Sequence, residues 1–396
     1  MLLFDSALFA YPWDVLDDPN APEEIASLGI NTVSLAAVYH TTRALSPHNP
    51  RRKIVHAEHA AAYFLPDAAR YQGMRLAPMQ ATWVQQDSFG TACRALQRVG
   101  LRVNAWAVIC HNSYLGQANP DLVIQNAFGD PYTYALCPAQ PRVRAYAAAL
   151  VGDLVTHYAL NGLELEACGY MGVEHLSHHE KVGVHLDLFH KFLLSLCFCP
   201  ACCDCIKQRG LNCEIVRAHV VKAIEKFFDG VGNGADEPEM VDQRLEELFG
   251  VAEWNQLAAA RDDITCALLD EIRAQILNAQ NLPLILAAAS SRHQTGACIG
   301  AEIAVLAQRA TALFLAPYGE TDDDASEHVR RMARASNGRA PVYAGVRACP
   351  PDTNSKQALY ARVHALCDAG AQSIRFYHYG LCSRPNLKWI QAAVTQ

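Results

Sequence analysis

The feature that most constrains this chain is an alternation. Short runs of small, β-branched and apolar residues are each followed by a stretch with apolar residues at helical spacing. The runs fall at residues 2–9, 31–39, 102–109, 161–169, 283–289, 312–316, 342–346 and 373–377. They are nearly continuous in apolar character, as strands must be when both faces are covered. Strand, helical crossover, parallel strand is the grammar of a buried parallel sheet. Eight such units predict a closed α/β (β/α)8 (TIM) barrel rather than an open sheet, and no Gly-x-Gly-x-x-Gly follows the first run to suggest a dinucleotide fold. The expected organisation is a single barrel domain over 1–396, with 210–280 as a helical insertion after strand four.

Composition narrows the partners. The chain has 396 residues, 51% hydrophobic and 18% charged, enough to fill a sizeable core. A formal net charge of −7 argues against nucleic acid, which calls for a basic face. The opening Met1-Leu2-Leu3-Phe4-Asp5 lacks the basic start of a signal peptide, and no apolar run approaches the roughly 18 residues of a membrane span. The expectation is a cytoplasmic protein with no membrane or nucleic-acid partner. Of fifteen cysteines, five crowd into 197–205, which in a reducing compartment points to thiolates and metal rather than to a disulfide framework.

In a barrel of this kind the site lies where the strands end. Reading those ends collects Tyr11, Trp13 and Asp14; Tyr39 and His40; His111 and Asn112; Glu166, Cys168 and Tyr170; Ser290, Ser291 and Arg292; Tyr318 and Glu320; Arg347; and Tyr377, His378 and Tyr379. Aromatic rings among carboxylate, amide and imidazole groups suit a polyhydroxylated ligand, since rings cover the apolar faces of a sugar and polar groups bond its hydroxyls. Glu164 and Glu166 share a face of strand four, because strand side chains repeat every two residues. A carboxylate inside a barrel is costly unless partnered. Glu164 is expected to pair with a buried arginine such as Arg375 and hold the barrel, while Glu166, nearer the rim, is the candidate general acid/base. Arg292 and Arg347 could hold an anionic group of a ligand or form structural ion pairs. Arg51-Arg52-Lys53 reads as a solvated loop face.

Cys197-x-Cys199-x-x-Cys202 supplies three thiolates at metal-binding spacing, which suits zinc. A cysteine-only site has no open position, so its role would be structural. His175, His178, His179 and Glu180 form a second polar cluster, which could be solvated, face a substrate or hold a catalytic metal.

Two segments resemble a known family. Leu136-Cys137-Pro138-Ala139-Gln140-Pro141-Arg142-Val143-Arg144 is similar to the segment after strand three of glycoside hydrolase family 42 β-galactosidases, and Cys197-Phe198-Cys199-Pro200-Ala201-Cys202 resembles the segment after their strand four. The resemblance covers about 100–205. It implies Cys137, Cys197, Cys199 and Cys202 as the ligands of one zinc beside the active site, with Cys203 and Cys205 left over. It also implies Glu166 as acid/base. The chain departs from that family at two places: Leu165 stands where the family has Asn, and 342–347 carries no carboxylate for the family's nucleophile.

The expected function is therefore a glycoside hydrolase acting on a small or oligomeric carbohydrate. A glycosidase needs two carboxyl groups flanking the scissile bond. Glu320, after strand six, is the leading partner for Glu166, and Glu174 is the second; Asp14 and Glu302 are further candidates. Trp13, Tyr39, His40, His111, Asn112, Arg292, Arg347, Tyr377 and His378 would bind the sugar. A carbohydrate-binding protein on a degenerate barrel and a metal-dependent lyase or isomerase using the histidine cluster are the rival readings. The helical region after strand four could form the interface of a homo-oligomer.

Overall fold

Alternate residues of the apolar runs meet two different cores, and this is what holds them as strands. The computed structural model describes residues 5–84, 86–174, 181–231, 234–279 and 281–395. Its principal strands are β1 (Asp5–Ala10), β2 (Thr32–Tyr39), β3 (Arg102–Val108), β4 (Gly162–Glu166), β5 (Leu284–Ala287), β6 (Ala312–Leu315), β7 (Val342–Arg347) and β8 (Ala371–Tyr377). Each pairs in parallel with the next, and β1 also pairs with β8 through Asp5↔Ser373 and Leu8↔Phe376. The sheet is thus a closed eight-stranded barrel, the (β/α)8 architecture that the alternation predicts.

One core lies between strands and helices. Leu8, Val33, Val103, Leu163, Leu165, Leu286 and Leu313 pack there against helical residues such as Leu150, Val151 and Leu359. The other fills the barrel, where Phe9, Trp106, Ile285 and Phe314 meet. Because Leu163 and Leu165 face outward, Glu164 and Glu166 face the barrel interior.

Between β4 and β5 the chain adds helices Leu188–Leu194, Pro200–Gln208, Cys213–Phe228, Pro238–Phe249 and Val251–Ala279. The first four enclose a third core of Phe189, Phe192, Val220, Ile224, Val241 and Leu245. The fifth, 29 residues long, belongs to two cores. Its Trp254 and Leu257 sit in the third core, and its Leu268, Leu269, Ile272 and Ile276 pack on the barrel. This helix is the barrel's own crossover between β4 and β5, lengthened at its start to carry the added helices.

Two local features add to the alternation. The segment before Cys137, rich in turn formers, contains the helix Ser113–Ala118 and a hairpin pairing Val123–Gln125 with Pro131–Leu136. Its turn is held by Asn126, whose Oδ1 accepts the Phe128 and Asp130 N–H groups. Cys203 is bonded to Cys213, joining two helices of the addition, so it is not a spare thiol. No helix among the described residues is long and apolar enough to cross a membrane.

Candidate active site and sulfur cluster

Glu166 is the last residue of β4, opposite Val108 of β3. Its Oε2 accepts the indole N–H of Trp106 at 2.9 Å, and Trp106 comes from the interior face of β3. The side chain keeps partial exposure while its carboxylate lies in aromatic surroundings. Loss of water raises its pKa to about 7, with the negative charge of Glu164 adding to the rise and the Trp106 N–H opposing it. Near pH 7 it can therefore give or take a proton. The next residue, Ala167, sits in the left-handed region at φ 55°, a conformation that costs a β-carbon-bearing residue on the order of 1–2 kcal/mol. Its N–H donates to the Ala297 carbonyl and its carbonyl accepts from Cys110, so the backbone just past the acid is fixed on both sides.

Glu164 lies one layer deeper and is 2% exposed. Its Oε2 accepts the hydroxyl of Ser34 from β2, and burial raises its pKa against the opposing charge of Arg375. Arg375 of β8 lies over the ring of Tyr343 at 4.5 Å and 3.7 Å from Asp5. The lower barrel is thus a charged layer, in which Arg375 offsets Glu164 through space rather than by a direct bond.

Around Glu166 the rim is aromatic. Tyr39 and Tyr377 place their hydroxyls 3.5 Å apart, and both feel the Glu166 charge. His40 stacks on Tyr39 at 4.1 Å and lies 4.5 Å from His111. His40, His111 and Tyr377, with Arg347, remain partly exposed at the mouth, whereas Tyr39 is buried. The peptide bond between Tyr377 and His378 is cis.

Other rim residues are committed elsewhere. Trp13 and His378 are fully buried beneath the mouth. The Nδ1 of His378 accepts the Gly380 N–H, and burial pushes the imidazole down to about 3, so it is neutral with its proton on Nε2. Asp14, 3.8 Å from that ring, is raised to about 7 by burial. Asn112 caps helix Ser113–Ala118 by accepting the Leu115 N–H at 2.9 Å. Arg292 pairs with Asp262 and Glu302, and Arg347 with Asp352. Glu174 is bound to Lys191 at 2.6 Å. Glu320 accepts from His328 at 3.0 Å. The Cys298 thiol, pushed up to about 12 by burial, lies within the field of both Glu166 and Glu320. His175, His178, His179 and Glu180 lie outside the described residues. Trp106, the one direct donor to Glu166 among the described residues, is absent from the residues collected at the strand ends; the period-two pattern of β3 places it inside the barrel.

The sulfur atoms of Cys137, Cys197, Cys199 and Cys202 all lie within 4.8 Å of one another. Cys137 Sγ is 3.8, 3.7 and 3.5 Å from those of Cys197, Cys199 and Cys202. Tetrahedral thiolates bound at about 2.3 Å would stand about 3.8 Å apart, so the set can hold a metal ion. Donors already face the sulfurs: Gln125 N–H to Cys197, Gln140 Nε2 to Cys199 and the Tyr170 hydroxyl to Cys202. The Tyr170 contact ties the cluster to the loop that leaves Glu166. Tyr170 is also covered by the Arg261 guanidinium at 4.2 Å.

No protein-family model matches the chain, and no curated protein matches it by sequence. Its fold is similar to solved structures. Over 99% of this chain it matches 49% of an α-L-fucosidase isoenzyme 2 from Paenibacillus thiaminolyticus, at TM-score 0.59 and 15% identity. It matches 99% of the PgaB (BpsB) glycoside hydrolase domain from Bordetella bronchiseptica at TM-score 0.59 and 14% identity. It matches 59% of a β-galactosidase from the psychrophilic Marinomonas ef1 at TM-score 0.55 and 10% identity. The chain therefore spans about half of the fucosidase and nearly all of the PgaB domain. At these identities the likeness is one of fold.

Proposed function

We propose that this protein is a glycoside hydrolase acting on a small or oligomeric carbohydrate, with Glu166 as its acid/base residue. The observation that carries this reading is Glu166 itself: a rim carboxyl raised to about 7, gripped by the Trp106 indole, among partly exposed tyrosine and histidine rings. A carboxyl group in that state can protonate a leaving glycosidic oxygen and later accept a proton from water. Tyr39, Tyr377, His40 and His111 would bond sugar hydroxyls, and the rings would cover apolar sugar faces. The glycosidase domains among the structural neighbours agree with this choice of chemistry. Glu320 is the proposed second carboxylate, released from His328 when substrate binds; Glu174, bound to Lys191, ranks behind it.

The sulfur cluster is proposed to bind a structural zinc ion through Cys137, Cys197, Cys199 and Cys202. Four thiolates close the coordination sphere, so the ion would shape the loop carrying Tyr170 and take no part in proton transfer.

Release of reducing sugar from a panel of glycosides tests the hydrolytic reading. Glu166→Gln should lower the rate by about 10²–10⁴-fold, the usual worth of a positioned acid/base. An unchanged rate removes Glu166 from the mechanism. One observation favours a second reading, a carbohydrate-binding protein without turnover: β7 ends in Arg347 bound to Asp352 and contributes no free carboxylate. That reading predicts sugar binding with no product from any glycoside.

A further inference from the structure

The excursion between β2 and helix Ser88–Arg98 folds over the barrel mouth beside β1 and leaves a cleft of about 680 Å3. Trp13, Trp83, Arg51, Arg52, Ser88 and Thr91 line it. Trp13, Trp83 and Tyr63 pack ring against ring, with centroids 4.8–5.7 Å apart. The indole N–H groups of Trp13 and Trp83 and the hydroxyl of Tyr63 are shielded from solvent and have no hydrogen-bond partner among the described residues. Trp13 and Tyr63 are both fully buried. Unpaired buried donors cost roughly 1–3 kcal/mol each, so three in one cluster call for an acceptor.

The neighbouring acceptors are already taken. Arg52 grips both Asp17 oxygens at 2.7 and 2.8 Å, and Asn49 donates to one of them. Arg52 is therefore a fixed part of the wall rather than a solvated loop cation. Asp87, which caps helix Ser88–Arg98, accepts from Gly90 and Tyr158 and faces Arg94. Arg51 lies 3.9 Å from Asp17 with 71% of its side chain exposed, which leaves one positive charge in excess over Asp17. The first turn of helix Ser88–Arg98 adds its positive end. The cleft thus combines unpaired donors, a net cation and the half-exposed ring of Trp83.

A wall of rings joins the cleft to Glu166. Trp106, which holds Glu166, is 5.9 Å from Tyr11; Tyr11 is stacked on Trp13 at 4.2 Å; Trp13 is 5.1 Å from Trp83. We infer that the cleft binds an acidic sugar unit, a uronate or a sulfated sugar, at the far end of a glycan whose scissile bond lies at Glu166. The inference rests on the glycoside reading above and names its substrate class. Trp83 covers the apolar face of the unit, while Arg51 and the indole N–H groups of Trp13 and Trp83, which line the cleft, meet its anionic group and hydroxyls.

The indole N–H signals of the whole chain test this by NMR, with Trp83→Phe assigning the Trp83 signal. Glucuronate or glucose 6-sulfate should shift the Trp13 and Trp83 signals and leave Trp254 and Trp389 in place, and glucose at the same concentration should shift neither pair. The two acids tell a carboxylate from a sulfate. Arg51→Glu should weaken the response about tenfold, equal to roughly 1.4 kcal/mol, with an unchanged Trp254 signal showing an intact fold. Glu166→Gln should respond like the wild type. If glucose shifts the signals equally, or neither acid shifts them, the inference falls. Shifts without cleavage of any glycoside would sink hydrolysis and keep this site, whereas cleavage without shifts would do the reverse.

Discussion

At Glu166 desolvation wins over the stabilising bond from Trp106, and the raised pKa sets two pH responses of the same sign. As a general acid the group must carry its proton, so kcat/KM should fall as pH rises through about 7. Stability moves the same way: a folded-state pKa above the ordinary carboxyl value gives stability that is full at low pH and is lost as pH rises through about 7. Glu166→Gln has no such charge to bury, so its thermal midpoint should fall less than that of the wild type between pH 6 and pH 8. A parallel fall in both proteins would show that Glu166 is not the titrating group. Ala167→Gly should hold or raise the midpoint, since glycine adopts φ 55° without strain, whereas Ala167→Val should lower it by about 1–3 kcal/mol. Loss of stability in the glycine variant would refute the strain at that position. The sequence could locate Glu166, because a glutamate ending an apolar strand stands out. It could not show that Trp106 holds it, or that Arg52 is bound to Asp17, because both contacts join segments far apart in the chain.

Whole strands were easier to read than the segments between them. A strand covered on both faces, as β2 is from Thr32 to Tyr39, leaves a continuous apolar run that few other structures produce. The hairpin before Cys137 carries Pro131, Tyr132, Thr133 and Tyr134 on a half-exposed surface, and without a covered face its pattern looks like loop. Helix Val251–Ala279 reads as part of an insertion because one buried stripe runs unbroken from the added helices to the barrel, and nothing in its spacing marks where one core gives way to the other. Within β8, Arg375 is 2% exposed and is the cation closest in effect to buried Glu164. Arg375→Leu should cost about 3–5 kcal/mol in urea unfolding, because it strands a buried acid. Adding Glu164→Gln to that variant should recover much of the loss; no recovery would mean that the two side chains do not share a charge balance.

The sulfur cluster links parts of the molecule that no strand pairing joins: the hairpin ending at Leu136, the loop leaving Glu166 and the added helices. Elemental analysis should find one zinc per chain. Its removal by a strong chelator should lower the thermal midpoint and slow turnover together, given apparent binding energies of roughly 10–16 kcal/mol for structural zinc. Serine at Cys199 should do the same, and a metal-free protein with full activity would argue against the clasp. With the proposed ion bound, the four cysteines would also impose an order on biosynthesis. The last of them, Cys202, leaves the ribosome when only four of the eight staves exist, whereas the barrel cannot shut until β8 meets β1. A nascent half-cylinder could therefore be fastened by its ion long before its far edge arrives, giving the slowest, most distant pairing a template already in place.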